Sequence, residues 1–384
     1  MSLTTQFSAV LESVSSRENG LDLTWSDSKS SHFHYLWLRD NCPSTLHPDT
    51  QERVFDQLSV SEDIHAVELA VDNDQLIINW SEGEHRSVFE GQWLRQHAYA
   101  GDLAPDNQPR AKSWDHTFLD NINAANYLDL LQDDHALFNW MKQLDQDGLS
   151  LVKGMPATEA ALDEIANRID YQRQTNFGVT FEVKSEPKPI NLAYTSLALP
   201  LHTDLSNFET PPGYQFLHCL ANDSAGGESV FADGLRVLED MRYEAPDNFN
   251  LLSTVAVPFR FHDDVHDIRH HHPVINLDHN GNIVELKYNA HLASIFDLPE
   301  AIMHDYYIAY RDLMARLRLE KYRINFRLDE GTMAVFDNRR VLHGRQAFEP
   351  TGRRHLRGCY VDRSEFQSRL RILEKASALS QPRG

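Results

Sequence analysis

Two strand-like stretches, more than a third of the chain apart, carry the residues that most restrict this fold. The first, LALPLHTDLSN, sets His202 and Asp204 after the apolar positions Leu197, Leu199 and Leu201. The second, MAVFDNRRVLHG, ends on His343 and Gly344. Apolar residues alternating with others have the period of a half-buried strand, which fixes the side chains it presents. A site using all three residues must be closed by pairing of distant strands and not by a local loop. The chain around them is therefore expected to be mainly β.

Two imidazoles and one carboxylate on one face of an octahedral metal leave three positions open. That arrangement suits non-haem Fe(II) that must hold an oxo-acid and O2 together. His-x-Asp alone discriminates little, because the chain has 20 His and repeats the pattern at His47–Asp49 and His262–Asp264. Context separates the copies: only the His202 one leads into a second strand-like run, Tyr214, Phe216 and Leu217, ending at Cys219. Ser229 in GGESVFADG and Arg354 in TGRRHLRGCY follow. A hydroxyl plus a guanidinium fork is a sound way to hold the far carboxylate of a dicarboxylic co-substrate. On spacing alone, the alternative that all of these are structural or surface residues stays open.

The rest of the composition mainly excludes. At 384 residues with 41% hydrophobic content, the chain is long enough for a large domain and a smaller one. A net charge of −21 argues against nucleic acid or anionic membrane as partners. No apolar run approaches the roughly 20 residues that cross a bilayer. The start, MSLTTQFSAV, lacks a basic region followed by an apolar one. Cys42, Cys219 and Cys359 are too few for a disulfide framework, which fits a reducing cytoplasm.

Along the chain, Leu21–Trp25 and part of Gln75–Trp80 alternate apolar and polar between Asp, Asn and Gly turns, so residues 1–99 are expected to form a small β-rich N-terminal domain. The polar, proline-containing stretch 100–113 is expected to be a linker, and 114–384 the larger domain. Helical periodicity predicts helices over Ala136–Leu144, Thr158–Ile169 and Pro299–Leu319, the last with a stripe of Ile302, Tyr306, Ala309, Leu313 and Leu317. Tyr322, Ile324, Phe326 and Leu328 alternate as a strand. His270–His272 is expected to be a loop, since consecutive residues of an extended chain point to opposite faces and cannot share a metal.

Taken together, His202-Thr-Asp204, Gly-Gly-Glu-Ser229, His343-Gly-Arg345 and the late Arg354 resemble the 2-oxoglutarate-dependent dioxygenases of the taurine dioxygenase type. Within them the chain is most similar to the γ-butyrobetaine and trimethyllysine dioxygenases, on WLRDNCP (37–43), NLAYTS (191–196), PPGYQFLHC (211–219) and FDNRRVLHGR (336–345). The resemblance implies a double-stranded β-helix, or jelly roll, with flanking helices beside the small β-rich domain. It also implies Fe(II) on His202, Asp204 and His343, and 2-oxoglutarate and O2 as co-substrates. Arg354 and Ser229 would hold the 2-oxoglutarate carboxylate. The implied reaction is hydroxylation of a methylene in a small trimethylammonium zwitterion, for which the best candidate is γ-butyrobetaine going to carnitine. Trimethyllysine, a trimethylammonio-alkylphosphonate and, outside the enzymes, a non-catalytic betaine-binding protein of the same fold remain alternatives. A homodimer is expected from the family alone.

A quaternary ammonium has no N–H to donate and is recognised by aromatic faces. The resemblance places such a cage at Phe177, Phe181, Tyr194 and Tyr360, with Phe at the first two positions where relatives often carry Tyr and Trp. It assigns the anionic end to Asn191 and, with Lys287 and Tyr288 as competitors, to Asn289. Family members hold a structural zinc in the N-terminal module. Here Cys42, His47 and His85 make at most three of the four ligands that such a zinc takes, so no zinc is expected.

Overall fold

The computed structural model describes residues 9–99, 111–184, 195–349 and 352–380. The predicted site residues Asn191 and Tyr194, and all of the expected linker but 111–113, lie outside them. The chain divides into two compact units, Met1–Pro109 and Arg110–Gly384.

In the first unit, two three-stranded antiparallel sheets are built from Leu11–Arg17, Gly20–Trp25 and Ser30–His34, and from Ala66–Asp72, Gln75–Trp80 and Arg86–Glu90. The two alternating runs visible in the sequence are the central strands, and their inward residues Leu21, Leu23, Trp25, Leu76, Ile78 and Trp80 share one core. The Trp25 and Trp80 indoles donate to the hydroxyls of Ser31 and Ser87 at 3.0 and 2.8 Å, so neither buried ring leaves an orphan donor. Cys42 Sγ lies 3.1 Å from Ser44 Oγ, and His47 Nδ1 accepts the backbone N–H groups of Asp49 and Thr50.

The second unit is a sandwich. Its larger sheet runs Ala124–Asn126, Leu149–Lys153, Met333–Asp337, Tyr214–Asn222, Arg354–Val361, Thr180–Val183, antiparallel except for the first pair. Its smaller sheet runs Leu199–His202, Val341–Arg345, Ser229–Asp233, Arg323–Phe326. Together they form the double-stranded β-helix.

Strand alternation sorts the side chains into two layers. Cys219, Phe336 and Leu356 of the larger sheet meet Phe231, Ile324 and Val341 of the smaller one between the sheets. Tyr214, Phe216, Val335, Cys359 and Val361 point the other way, onto helices Asp134–Asp147, Glu159–Ile169 and Arg363–Ser380. Asp133 caps the first of these helices by accepting the N–H of His135, and Gly148, at φ 74°, ends it in the left-handed conformation that glycine adopts without strain.

The predicted helices are all present, the third as Glu300–Arg316 with Pro299 at its N-cap. Two expectations are corrected. MAVFDNRRVLHG is not one strand but two, Met333–Asp337 in the larger sheet and Val341–Arg345 in the smaller one, because the polar Asn338-Arg339-Arg340 forms a turn between them. His270–His272 is not a loop but part of a strand, Asp267–His272, paired with Val257–His262. The sequence DIRHHH has no apolar alternation of its own; Phe259 and Phe261 of the partner strand supply the apolar face of the hairpin. His270 and His272 share a face, with ring centroids 5.7 Å apart, and His272 Nε2 is 2.5 Å from the Ser206 carbonyl oxygen.

Candidate metal centre

His202 and His343 are register partners on adjacent strands, which brings their rings to 4.3 Å between centroids. Their close approach depends on Gly344, where a Cβ would lie 2.5 Å from the Leu199 carbonyl oxygen. Asp204 follows just past its strand, with Oδ1 3.2 Å from His202 Nε2 and 3.7 Å from His343 Nε2. His202 directs Nδ1 to the Pro200 carbonyl at 2.9 Å, which leaves the Nε2 lone pair for the centre. Burial, reinforced by His202, pushes the His343 imidazole down to about 3, so it is neutral. Burial alone would raise the Asp204 carboxyl, but the two imidazoles and the Tyr360 hydroxyl outweigh it and hold the group well below the usual carboxylate range.

Ligand atoms of these three residues lie within 4.8 Å of one another, and they are the one such group of three or more among the described residues. Two imidazole nitrogens and one carboxylate oxygen converging on a single point are the ligand types that non-haem iron takes, so the donor set fits a divalent metal.

The centre opens into a cavity of about 320 Å³, a size that takes small molecules. At one side lie Ser229 and Arg354, both buried, with Arg345 beside them. Arg354 forms no ion pair among the described residues and its Nε has no hydrogen-bond partner; its guanidinium lies over the Phe348 ring, 5.3 Å from the centroid. A buried guanidinium of this kind suits an incoming carboxylate. Arg345, on the same strand face as His343, donates to the carbonyls of Thr195 and Leu197 at 2.7 and 2.8 Å.

Phe177, Phe181 and Tyr360, which the resemblance places in the cage, line the cavity, and Phe261 joins them from the His-rich hairpin with its ring 5.4 Å from Phe177. Tyr360 stacks on Phe181 at 5.1 Å while its hydroxyl donates to Asp204 Oδ2 at 2.7 Å. Asn289 lines the cavity too. Its Nδ2 donates to the Thr203 carbonyl at 3.2 Å, and its Oδ1 accepts the N–H groups of His291 and Leu292. The two competitors face elsewhere: Lys287 Nζ is 3.3 Å from Glu285 Oε2, and Tyr288 packs in the helical core.

Residues to which sequence reasoning gave no role of their own are Arg345, Phe261 and His291, which line the cavity, and Asn338, which hydrogen-bonds the main chain of Asp204. Arg345 was within reach, since it shares the parity of His343. The contacts of Phe261 and His291 depend on how the segment between the two sheets folds back, for which the sequence carries no local signal.

A sandwich in which two adjacent strands of one sheet hold two histidines, with an aspartate just past the first strand and a buried arginine alongside, is the architecture of a non-haem iron dioxygenase that uses 2-oxoglutarate. Comparison with known proteins agrees. Residues 111–360 match the taurine catabolism dioxygenase TauD, TfdA family, and residues 13–95 match the gamma-butyrobetaine hydroxylase-like N-terminal family. The chain belongs to the taurine catabolism dioxygenase family. It is 40% identical to a gamma-butyrobetaine dioxygenase of Pseudomonas sp. (strain AK-1) over 95% of this chain and 96% of that protein. It is 30% identical to the mitochondrial trimethyllysine dioxygenase of Bos taurus over 89% and 82%, and 29% identical to the human gamma-butyrobetaine dioxygenase over 92% and 94%. The chain is thus an enzyme, and the non-catalytic alternative falls away.

Proposed function

We propose that this dioxygenase hydroxylates a methylene carbon of a small trimethylammonium zwitterion, and that the reaction is γ-butyrobetaine to carnitine. The observation that carries the substrate is the 40% identity, over nearly the whole of both chains, with the Pseudomonas gamma-butyrobetaine dioxygenase. The aromatic wall of the cavity supports it.

His202, Asp204 and His343 would hold Fe(II), which when bound would supply the oxidative decarboxylation of 2-oxoglutarate and the C–H oxidation coupled to it. The protein's part is placement. Arg354 and Ser229 hold the distal carboxylate of 2-oxoglutarate. The faces of Phe177, Phe181 and Tyr360, with Tyr194, receive the trimethylammonium. Asn191 takes the anionic end, joined by Asn289, whose Nδ2 carries a second hydrogen besides the one given to Thr203. The methylene between the two ends is then presented to the metal. Trimethyllysine is the second reading, favoured by the 30% identity with the bovine trimethyllysine dioxygenase. The phosphonate alternative loses the support of Lys287, which pairs with Glu285.

We place the enzyme in the cytoplasm, because all three cysteines are buried and unpaired and no helix among the described residues is long and apolar enough to cross a membrane. The homodimer rests on the family and is checked by sedimentation. The reaction is tested by Fe(II)-dependent succinate release with γ-butyrobetaine, trimethyllysine and a trimethylammonio-alkylphosphonate. The highest kcat/KM is expected for γ-butyrobetaine. A higher value for another panel member would replace the substrate, and turnover by His202→Ala at the normal rate would overturn the metal assignment.

A further inference from the structure

We infer that Tyr360 serves the site with two separate parts of one side chain: its ring forms a wall of the substrate cavity, and its hydroxyl positions Asp204 for the metal. The argument begins with the strand Arg354–Val361. Alternation turns Arg354, Leu356 and Tyr360 toward the cavity, with Gly358 between them on the same face. A Cβ at Gly358 would lie 2.4 Å from Phe181 Cζ, so the glycine leaves the space that the Phe181 ring fills. From there Phe181 stacks on Tyr360 at 5.1 Å with 29° between the planes. That stacking fixes where the phenol points.

The carboxylate of Asp204 is divided between two tasks. Oδ1 faces the imidazoles, 3.2 Å from His202 Nε2 and 3.7 Å from His343 Nε2. Oδ2 accepts the Tyr360 hydroxyl at 2.7 Å. A carboxylate held by one oxygen in this way offers the other to the metal and is hindered from rotating or binding through both. Asp204 lies just beyond the end of its strand, next to Leu205 at φ +55°, so the sheet ladder does not orient its side chain. Partners of this kind typically alter metal affinity by about 10- to 100-fold when removed.

This positioning role rests on the metal centre and not on the choice of substrate, and the two parts of Tyr360 can be tested separately. Tyr360→Phe keeps the ring and removes the hydroxyl; Tyr360→Leu removes both; Phe181→Leu removes only the neighbouring ring. Co(II), titrated into the metal-free protein and read by its visible absorption, is the probe, with thermal unfolding of the metal-free variants as the check on folding. Tyr360→Phe is expected to remain folded with a cooperative transition at a somewhat lower temperature, to bind Co(II) about 10- to 100-fold more weakly, and to show an altered Co(II) spectrum, since a freed carboxylate changes the coordination. It should keep most of its affinity for γ-butyrobetaine, which Tyr360→Leu should lose. Co(II) affinity and spectrum in Tyr360→Phe equal to the parent's would overturn the proposal. If instead Co(II) binding weakens as expected while Tyr360→Leu and Phe181→Leu bind γ-butyrobetaine like the parent, the positioning role stands and the trimethylammonium reading fails.

Discussion

Asn338 grips the main chain of Asp204 from both sides: its Oδ1 accepts the Asp204 N–H at 2.6 Å, and its Nδ2 donates to the Asp204 carbonyl at 3.1 Å. The same Nδ2 reaches the Pro212 carbonyl at 3.2 Å, and the side chain is fully buried. Asn338 lies in the turn between the strands Met333–Asp337 and Val341–Arg345, so the segment that delivers His343 also anchors the other end of the metal centre. The neighbouring Leu205, at φ +55°, is held in a conformation that non-glycine residues rarely adopt, and these bonds help to sustain it.

Asn338→Ala therefore leaves a partly buried N–H and carbonyl of Asp204 without their partners, each at a cost of up to about 1–3 kcal/mol. Urea unfolding of the metal-free protein should show a lower midpoint with an unchanged slope, and the variant should bind metal more weakly. An unchanged midpoint would mean that water replaces the amide at no cost and that Asn338 does not anchor the site.

Arg354 is buried with no carboxylate partner among the described residues, beside Ser229 in the cavity. Arg354→Gln should raise the KM for 2-oxoglutarate on the order of ten- to hundredfold, the worth of a charge-assisted hydrogen bond. The KM for the trimethylammonium substrate should change little. Arg354→Lys should fall between, because it keeps the charge but loses the planar fork. Initial rates with each substrate varied separately measure the split; a rise confined to the trimethylammonium KM would reverse the assignment of the two ends of the cavity.

Gly358→Ala probes the cage without touching an aromatic residue. The added methyl meets Phe181 Cζ at 2.4 Å and the Phe216 carbonyl at 3.0 Å, and of these only the ring can move. Displacing Phe181 unseats its stacking on Tyr360. The expected outcome is a higher KM for the trimethylammonium substrate with the 2-oxoglutarate KM nearly unchanged, measured in the same succinate assay. Equal rises in both constants would show that the sheet, and not the cage, had been disturbed.

Much of this site was legible because strand alternation is a local rule. The parity of Arg354 with Tyr360, and the strand-borne placement of His202 and His343, follow from a period of two residues and need no tertiary knowledge. Asn289 came only from the resemblance, with Lys287 and Tyr288 as competitors, and no local signal marks the commitment of its amide to Thr203, His291 and Leu292. The grip of Asn338 on Asp204 could not be read, since it joins two turns far apart in the chain. The His-rich hairpin was misread for a related reason: DIRHHH takes its strand conformation from pairing with VPFRFH and not from its own periodicity.

His218 gives a pH test that does not involve the metal. It is fully buried on the strand Tyr214–Asn222, neither ring nitrogen has a partner, and burial pushes its imidazole down to about 4. In the unfolded chain the same group titrates near 6.5. Between these values the unfolded state binds the extra proton, so stability is fully present above about pH 6.5 and declines as the pH falls toward 4. Each unit of pKa difference corresponds to about 1.4 kcal/mol, so this one residue can remove at most about 3 kcal/mol over that range. His218→Met, similar in bulk and unable to protonate, should flatten the fall in unfolding free energy between pH 7 and pH 5 relative to the parent. Parallel curves for the two proteins would show that a partner forms on acidification, or that other groups carry the whole pH dependence.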